Sequence, residues 1–236
     1  QLDRDAAASG EDVFTLLAKS STQSKRSLNA LSAEATVRLP ELESPAKPDQ
    51  AEAEPDECYL QASQLVPVNQ ASLVSLAQEW AAENPTTENP TADDGVASTP
   101  QALAMRLTRR VHQEIPQAPL GRSISGPMKT LQRKTGDCVA HTLLLTSLLR
   151  AQKIPARAVS GLRIDPDDAT QMQFHTWTEA WLAGRWLPLD STTGRVAGPD
   201  RLKFSDSCLT NDNPYEIILP TLRQTPGLQV RVKSVE

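Results

Sequence analysis

The chain lacks most of what usually announces a function. Three cysteines in 236 residues are too few for a disulfide scaffold. No apolar run approaches the ~20 residues that a membrane span needs. No basic block stands out, and a net charge of −5 argues against nucleic acid as a partner. No internal repeat is visible. The initial Met is missing too. A chain opening on Gln1 reads as a fragment or a processed product, from which the compartment is not read directly; an extracytoplasmic (secreted or periplasmic) setting is the one favoured. What is present is 39% hydrophobic content, enough for one medium domain, or a domain with a small appendage, to bury a real core.

The N-terminal part stands apart. Glu11 to Ser20 reads as a short amphipathic helix. Ala33, Ala35, Val37 and Leu39 alternate with polar residues, as a strand does. Pro40 to Glu57 is rich in Pro, Glu and Ala and holds almost nothing large and apolar, so it reads as a linker. The division expected is an N-terminal extension over 1–57 and a main domain over 58–236. In the latter, Gln70–Glu83 and Ala102–Ile115 read as helices, with a proline-rich loop between them. Arg157–Ile164, Tyr215–Leu219 and Leu228–Val235 read as strands. Helices first and strands later predict an α+β fold.

The sharpest feature is Cys138, at the front of an apolar stretch that includes Ala140, Leu143, Leu144, Leu145, Leu148 and Leu149. A helix apolar on most sides is buried. Gly136 and Asp137 supply turn and cap, and Pro155 closes the segment. The plain alternative is a packing cysteine. Its place at the helix start favours chemistry, because free N–H groups and the helix dipole stabilise a thiolate there. On this reading its pKa is depressed.

His175 and Asp190 follow in FHTWTEAWLAGRWLPLD. Ala183-Gly184 reads as a two-residue hairpin turn, pairing 182 with 185 and 181 with 186. Counting back, Trp177 faces Asp190, so His175 and Asp190 are diagonal neighbours on one face, with Cβ atoms about 7 Å apart. A carboxylate there can fix an imidazole tautomer, and the imidazole can take a proton from a thiol. A one-residue register change would separate them.

The runs GDCVAH, KIPARAVSGL, FHTWTEAW and GRWLPLDSTTG resemble a bacterial transglutaminase-like domain, within the papain-like cysteine enzymes, over roughly residues 58 to 196. The resemblance implies a papain-like, transglutaminase-core fold, with the cysteine helix packed on an antiparallel sheet. It implies a catalytic triad of Cys138 as nucleophile, His175 as base and Asp190 as orienting acid. It implies acyl transfer on amide bonds through a thioester, either as a peptidase or amidase or as a protein-crosslinking enzyme, acting on a protein or peptide. One oxyanion donor is then the Cys138 N–H. The helix from Pro100 to Ile115 lacks the aromatic residue found in many relatives, so no second donor is identified. That gap supports a different class, a catalytically silent interaction module of the same fold.

Other residues have plainer readings. Trp177, Trp181 and Trp186 are hairpin and core packing. Trp177, on the His175 face, also reads as a substrate-binding wall of the cleft. His141, three residues after Cys138, packs or assists, and His112 sits solvent-facing beside Arg109 and Arg110. Asp165, Asp167 and Asp168 form an acidic turn without the Gly and terminal Glu of a calcium loop. A zinc site at Cys138, His175 and Asp190 has only His141 to complete it. No metal or organic cofactor is expected, since side chains supply nucleophile, base and orienting acid.

Overall fold

The computed structural model describes residues 2–4, 23–29, 32–38, 53–82, 99–121, 124–213, 215–226 and 228–230. Strands β1 (Leu2–Arg4), β2 (Gln23–Asn29) and β3 (Ser32–Val37) precede a 3₁₀ turn at Glu57–Leu60. Four helices follow: α1 (Ala71–Ala82), α2 (Pro100–Glu114), α3 (Pro127–Arg133) and α4 (Cys138–Ala151). Then come β4 (Ala156–Ile164), β5 (Met172–Leu182), β6 (Arg185–Asp190), β7 (Arg195–Val196), β8 (Arg201–Ser207), α5 (Leu219–Gln224) and β9 (Leu228–Val230). The fold is α+β. An antiparallel five-stranded sheet has the order β7-β6-β5-β4-β8, and a smaller sheet the order β2-β3-β1-β9.

The apolar helix forms as its sequence dictates. Every residue of α4 from Cys138 to Arg150 is buried. On one side Leu144, Leu145, Leu148 and Leu149 meet Leu73, Ala77 and Trp80 of α1 and Ala104, Leu107 and Val111 of α2. On the other side they meet Ala156, Ala180, Leu182, Leu187 and Leu189 of the sheet. Two threonine pairs set the register of helix on sheet. The hydroxyls of Thr142 and Thr176 are 3.0 Å apart, and those of Thr146 and Thr178 are 3.3 Å apart. Thr176 and Thr178 therefore face α4, and strand alternation turns His175, Trp177 and Glu179 to the opposite face of β5.

The hairpin is the expected one. Trp181 pairs with Trp186 and Leu182 with Arg185. Ala183 and Gly184 have φ of 51° and 80°, the two left-handed residues of a type I′ turn. Glycine adopts the second without strain. The ladder holds this register to Thr178 opposite Leu189.

The rest of the strand reading needs two corrections. Tyr215–Leu219 is not a strand but a turn leading into α5. The Tyr215 carbonyl accepts from the Ile218 and Leu219 N–H groups at 3.1 and 2.9 Å. Pro220, in the first turn of α5, has no N–H to give a ladder and fixes a helical φ. Secondly, β8 was not anticipated. It is the edge strand beside β4, and Gln23 covers part of its open edge: the Gln23 amide donates to Lys203 O at 3.1 Å and accepts from Lys203 N at 2.8 Å. Of the strands expected at Ala33–Leu39 and Leu228–Val235, the described parts are β3 (Ser32–Val37) and β9 (Leu228–Val230), and Leu39 and residues 231–235 lie outside the described residues. The expected helix at Glu11–Ser20 and most of the Pro40–Glu57 linker lie outside the described residues.

β4 and β8 approach closely at Gly161, beside a register shift between Ser160 and Gly161. A Cβ on Gly161 would lie 1.9 Å from Leu202 O and 3.1 Å from the Trp177 ring. Since a backbone oxygen cannot move aside cheaply, Gly161→Ala should destabilise the fold by about 2–5 kcal/mol. A urea titration checks this. Unchanged stability would show that the β4–β8 approach is looser than described.

Candidate active site

Cys138 is the first residue of α4 and Asp137 is its N-cap. Asp137 Oδ1 accepts from Ala140 N at 3.0 Å, which satisfies one of the free donors of the first turn. Its Oδ2 accepts from Gly121 N at 2.9 Å. The chain from Pro116 to Ala118 is also bonded to Gly136, through Gly136 N to Pro116 O at 3.2 Å and Ala118 N to Gly136 O at 2.8 Å. The helix start is thus clamped from one side, and the sulfur is fixed by its backbone.

Cys138 is 6% exposed. Burial pushes its pKa up, the side chain and backbone of Thr176 pull the other way, and the charges of Asp137 and Asp190 add to the rise. The net shift is upward, which corrects the expectation of a depressed value. Helix position alone does not outweigh desolvation here. The contact with Thr176 has a second consequence. Thr176 follows His175 directly, so the sulfur rests against the backbone next to the imidazole-bearing residue.

His175 and Asp190 are joined as the register requires. His175 Nε2 lies 2.8 Å from Asp190 Oδ2. Burial would raise the Asp190 pKa. The hydrogen bond and charge of His175, the charge of Arg201 and the Thr192 hydroxyl overcome this and hold the carboxyl well below the usual range. Asp190 is therefore an acceptor and Nε2 donates to it, so Nδ1 is the ring nitrogen not bonded to the carboxylate.

Three partners of this carboxylate were not anticipated. Arg201 Nη2 donates to Asp190 Oδ2, Arg163 Nη1 stands 4.0 Å from the same oxygen, and Thr192 donates to Oδ1 through its N–H at 2.9 Å and its hydroxyl at 2.7 Å. The run RLKFSDS over Arg201–Ser207 alternates charged or polar with apolar residues at its start, which is a strand signal. The pairing that brings its arginine to Asp190 is long-range and leaves no local mark. A second buried network lies on the same face. Glu179 Oε2 is held by Arg157 Nη2 and Lys203 Nζ, each at 2.7 Å, and Arg157 stacks over the Trp186 ring at 4.0 Å.

The remaining candidates are placed as follows. Trp177 is buried among Val159 and Ala197, its ring near-parallel to that of His175 with centroids 6.5 Å apart. His141 is 1% exposed, and burial holds it below the ordinary histidine range. Its ring nitrogens lie near the backbone of Ser191 and Ile115, and neither makes a well-formed hydrogen bond. His112 is exposed. In the acidic turn, Asp165 accepts from Asp167 N at 2.8 Å, and Asp168 accepts from Thr170 N, Thr170 Oγ1 and Gln171 Nε2. These carboxylates shape the turn. Among the described residues no group of three His, Cys, Asp or Glu is arranged to hold a metal ion, and no helix is long and apolar enough to cross a membrane.

The site thus has a buried cysteine at a helix start that meets Thr176 of β5, and on the same strand a histidine bonded to a carboxylate of β6. Residues 86–191 match the family model described as the transglutaminase-like superfamily. No protein with a curated description matches the chain by sequence. Similar solved structures include a candidate cysteine protease from Cytophaga hutchinsonii, with 17% identity, a TM-score of 0.47, and coverage of 72% of this chain and 49% of that one. The periplasmic domain of TgpA from Pseudomonas aeruginosa is similar at 23% identity and a TM-score of 0.40, covering 58% of this chain and 48% of that one. Red sea bream transglutaminase is similar at 17% identity and a TM-score of 0.45, covering 62% and 34%. The chain spans about half or less of the length of these proteins.

Proposed function

We propose that the chain catalyses acyl transfer on amide bonds of a protein or peptide, with Cys138 as nucleophile, His175 as base and Asp190 as orienting acid. The observation that carries this is the His175 Nε2–Asp190 Oδ2 bond at 2.8 Å, next to the Thr176 backbone that meets the Cys138 sulfur. With Nε2–H committed to Asp190, Nδ1 accepts the thiol proton. The thiolate attacks the amide carbonyl, and the C–N bond breaks as Nδ1–H protonates the departing amine. A thioester on Cys138 remains. Water or a second amine then resolves it, giving hydrolysis or crosslinking. The Cys138 N–H, free at the helix start, faces the oxyanion. Trp177 backs the imidazole and closes the cleft on that side. An extracytoplasmic setting fits this reading.

Peptide libraries incubated with and without an amine acceptor, read by mass spectrometry, test the reaction and identify the acceptor. Absence of both hydrolysed and amine-linked products would sink it. One observation favours the second reading, a silent interaction module: the thiol is buried and its pKa raised. Limiting iodoacetamide at neutral pH separates the two. An enzyme should label Cys138 ahead of Cys58 and Cys208, because His175 can take the proton. A module should leave Cys138 unlabelled until unfolded.

A further inference from the structure

The two cysteines outside the site are brought together from opposite ends of the main domain. Cys58 lies in the Glu57–Leu60 turn and Cys208 directly follows β8, about 150 residues later. What joins the two segments is the buried guanidinium of Arg150, near the end of α4. Its Nη1 donates to Gln61 O at 2.8 Å, Nη2 to Cys208 O at 2.8 Å, and Nε and Nη2 to Ala156 O at 2.9 and 2.7 Å. Gln61 N in turn bonds Cys58 O at 3.2 Å. Both backbones are therefore fixed to one rigid planar group, and the two thiols lie against each other.

The chemistry of the spot suits a dithiol. Each hydrogen bond described for Arg150 is to a carbonyl, so among the described residues its charge has no carboxylate partner. Burial lowers it to about 10, and the thiols of Cys208 and then Cys58 act on it as the nearest potential anions. A cation beside a thiol favours the thiolate. Burial, contact with Cys208 and the charge of Asp56 push the Cys58 thiol up to about 12. Both residues are only half-buried, so a small oxidant can reach them.

We propose that Cys58 and Cys208 form a disulfide when the folded chain meets a low-molecular-weight disulfide, fastening the Glu57–Gln61 segment to the end of β8 and leaving Cys138 free. The Cys208 thiolate, having lost its proton to solvent, attacks one sulfur of the oxidant. That S–S bond breaks, one small thiolate leaves, and a mixed disulfide remains on Cys208. Cys58 then loses its proton, attacks the Cys208 sulfur and expels the second small thiolate. Two protein thiols are oxidised and one small disulfide is reduced to two thiols. The proposal is independent of the acyl-transfer reading.

The test uses the full chain, reduced and then exposed to oxidised glutathione at pH 8. Non-reducing peptide mapping should find the Cys58 and Cys208 peptides linked within one molecule and Cys138 alkylatable once the chain is unfolded. Closing so long a loop should raise Tm by about 5–15 °C. Cys58→Ser and Cys208→Ser should each abolish that rise under the same oxidant while matching the reduced wild type in Tm. Glutathione left singly on either cysteine, a link to Cys138, a link between two molecules, or three free thiols after oxidation would each overturn it.

Discussion

Cys138→Ala should reduce turnover by a factor of about 10⁴ or more while leaving the fold in place. The expected loss is large because no neighbouring group can replace the thiol as the atom that bonds to the acyl carbon. His175 and Asp190 only move and steady a proton. The structural cost is small. Cys138 packs with Val66, Val139, Leu143, Ala158, Leu209 and Ile217, and replacing one sulfur by hydrogen leaves a small cavity worth about 1 kcal/mol. Helix capping by Asp137 and the Thr142–Thr176 contact do not depend on the sulfur. Trapped thioester, seen as added mass on the intact protein, should vanish with the substitution. A variant with full turnover would remove Cys138 from the mechanism.

The parts of this site that the sequence reveals are those with local causes. The α4 start is legible because a cap, a turn glycine and an apolar run sit side by side from Gly136 to Leu149. The His175–Asp190 bond is legible because a two-residue turn at Ala183-Gly184 fixes a register, and a register fixes which side chains share a face. The effects that escape are set by distant chain. Arg201 comes to Asp190 through the β4–β8 pairing, and nothing between residues 190 and 201 states that pairing. The direction of the Cys138 shift escapes for the same reason. Helix position is a local property, but burial under Val66, Leu209 and Ile217 is a property of the whole fold. Tyr215–Leu219 shows the opposite failure. Its apolar run suits a strand, yet Pro220 one residue beyond it starts a helix and overrides the pattern.

The second large effect is expected at Asp190, and the arginines change its character. Sequence alone predicts that Asp190→Asn keeps the fold and loses activity. All four groups bonded to the Asp190 carboxylate are donors: His175 Nε2 and Arg201 on Oδ2, and the Thr192 N–H and hydroxyl on Oδ1. An asparagine has one acceptor oxygen and one donor nitrogen, so one side of the site must set donor against donor. Arg201, itself buried, also loses its buried charge partner and keeps only the half-exposed Asp200. Removing one member of a buried pair costs about 3–5 kcal/mol. Turnover should fall by about 10- to 10⁴-fold, because the ring can then hold its proton on the wrong nitrogen. The pH dependence gives an independent check. The folded carboxyl is held below its unfolded value of about 3.9. Its contribution to stability is therefore fully present above pH ~4 and is lost as pH falls from there towards the folded value. Urea titrations between pH 7 and pH 2 should show wild type losing this increment below about pH 4, with Asp190→Asn already lacking it at pH 7. Equal stability of the two proteins at pH 7, together with unchanged turnover, would show that Asp190 neither anchors the arginines nor orients His175.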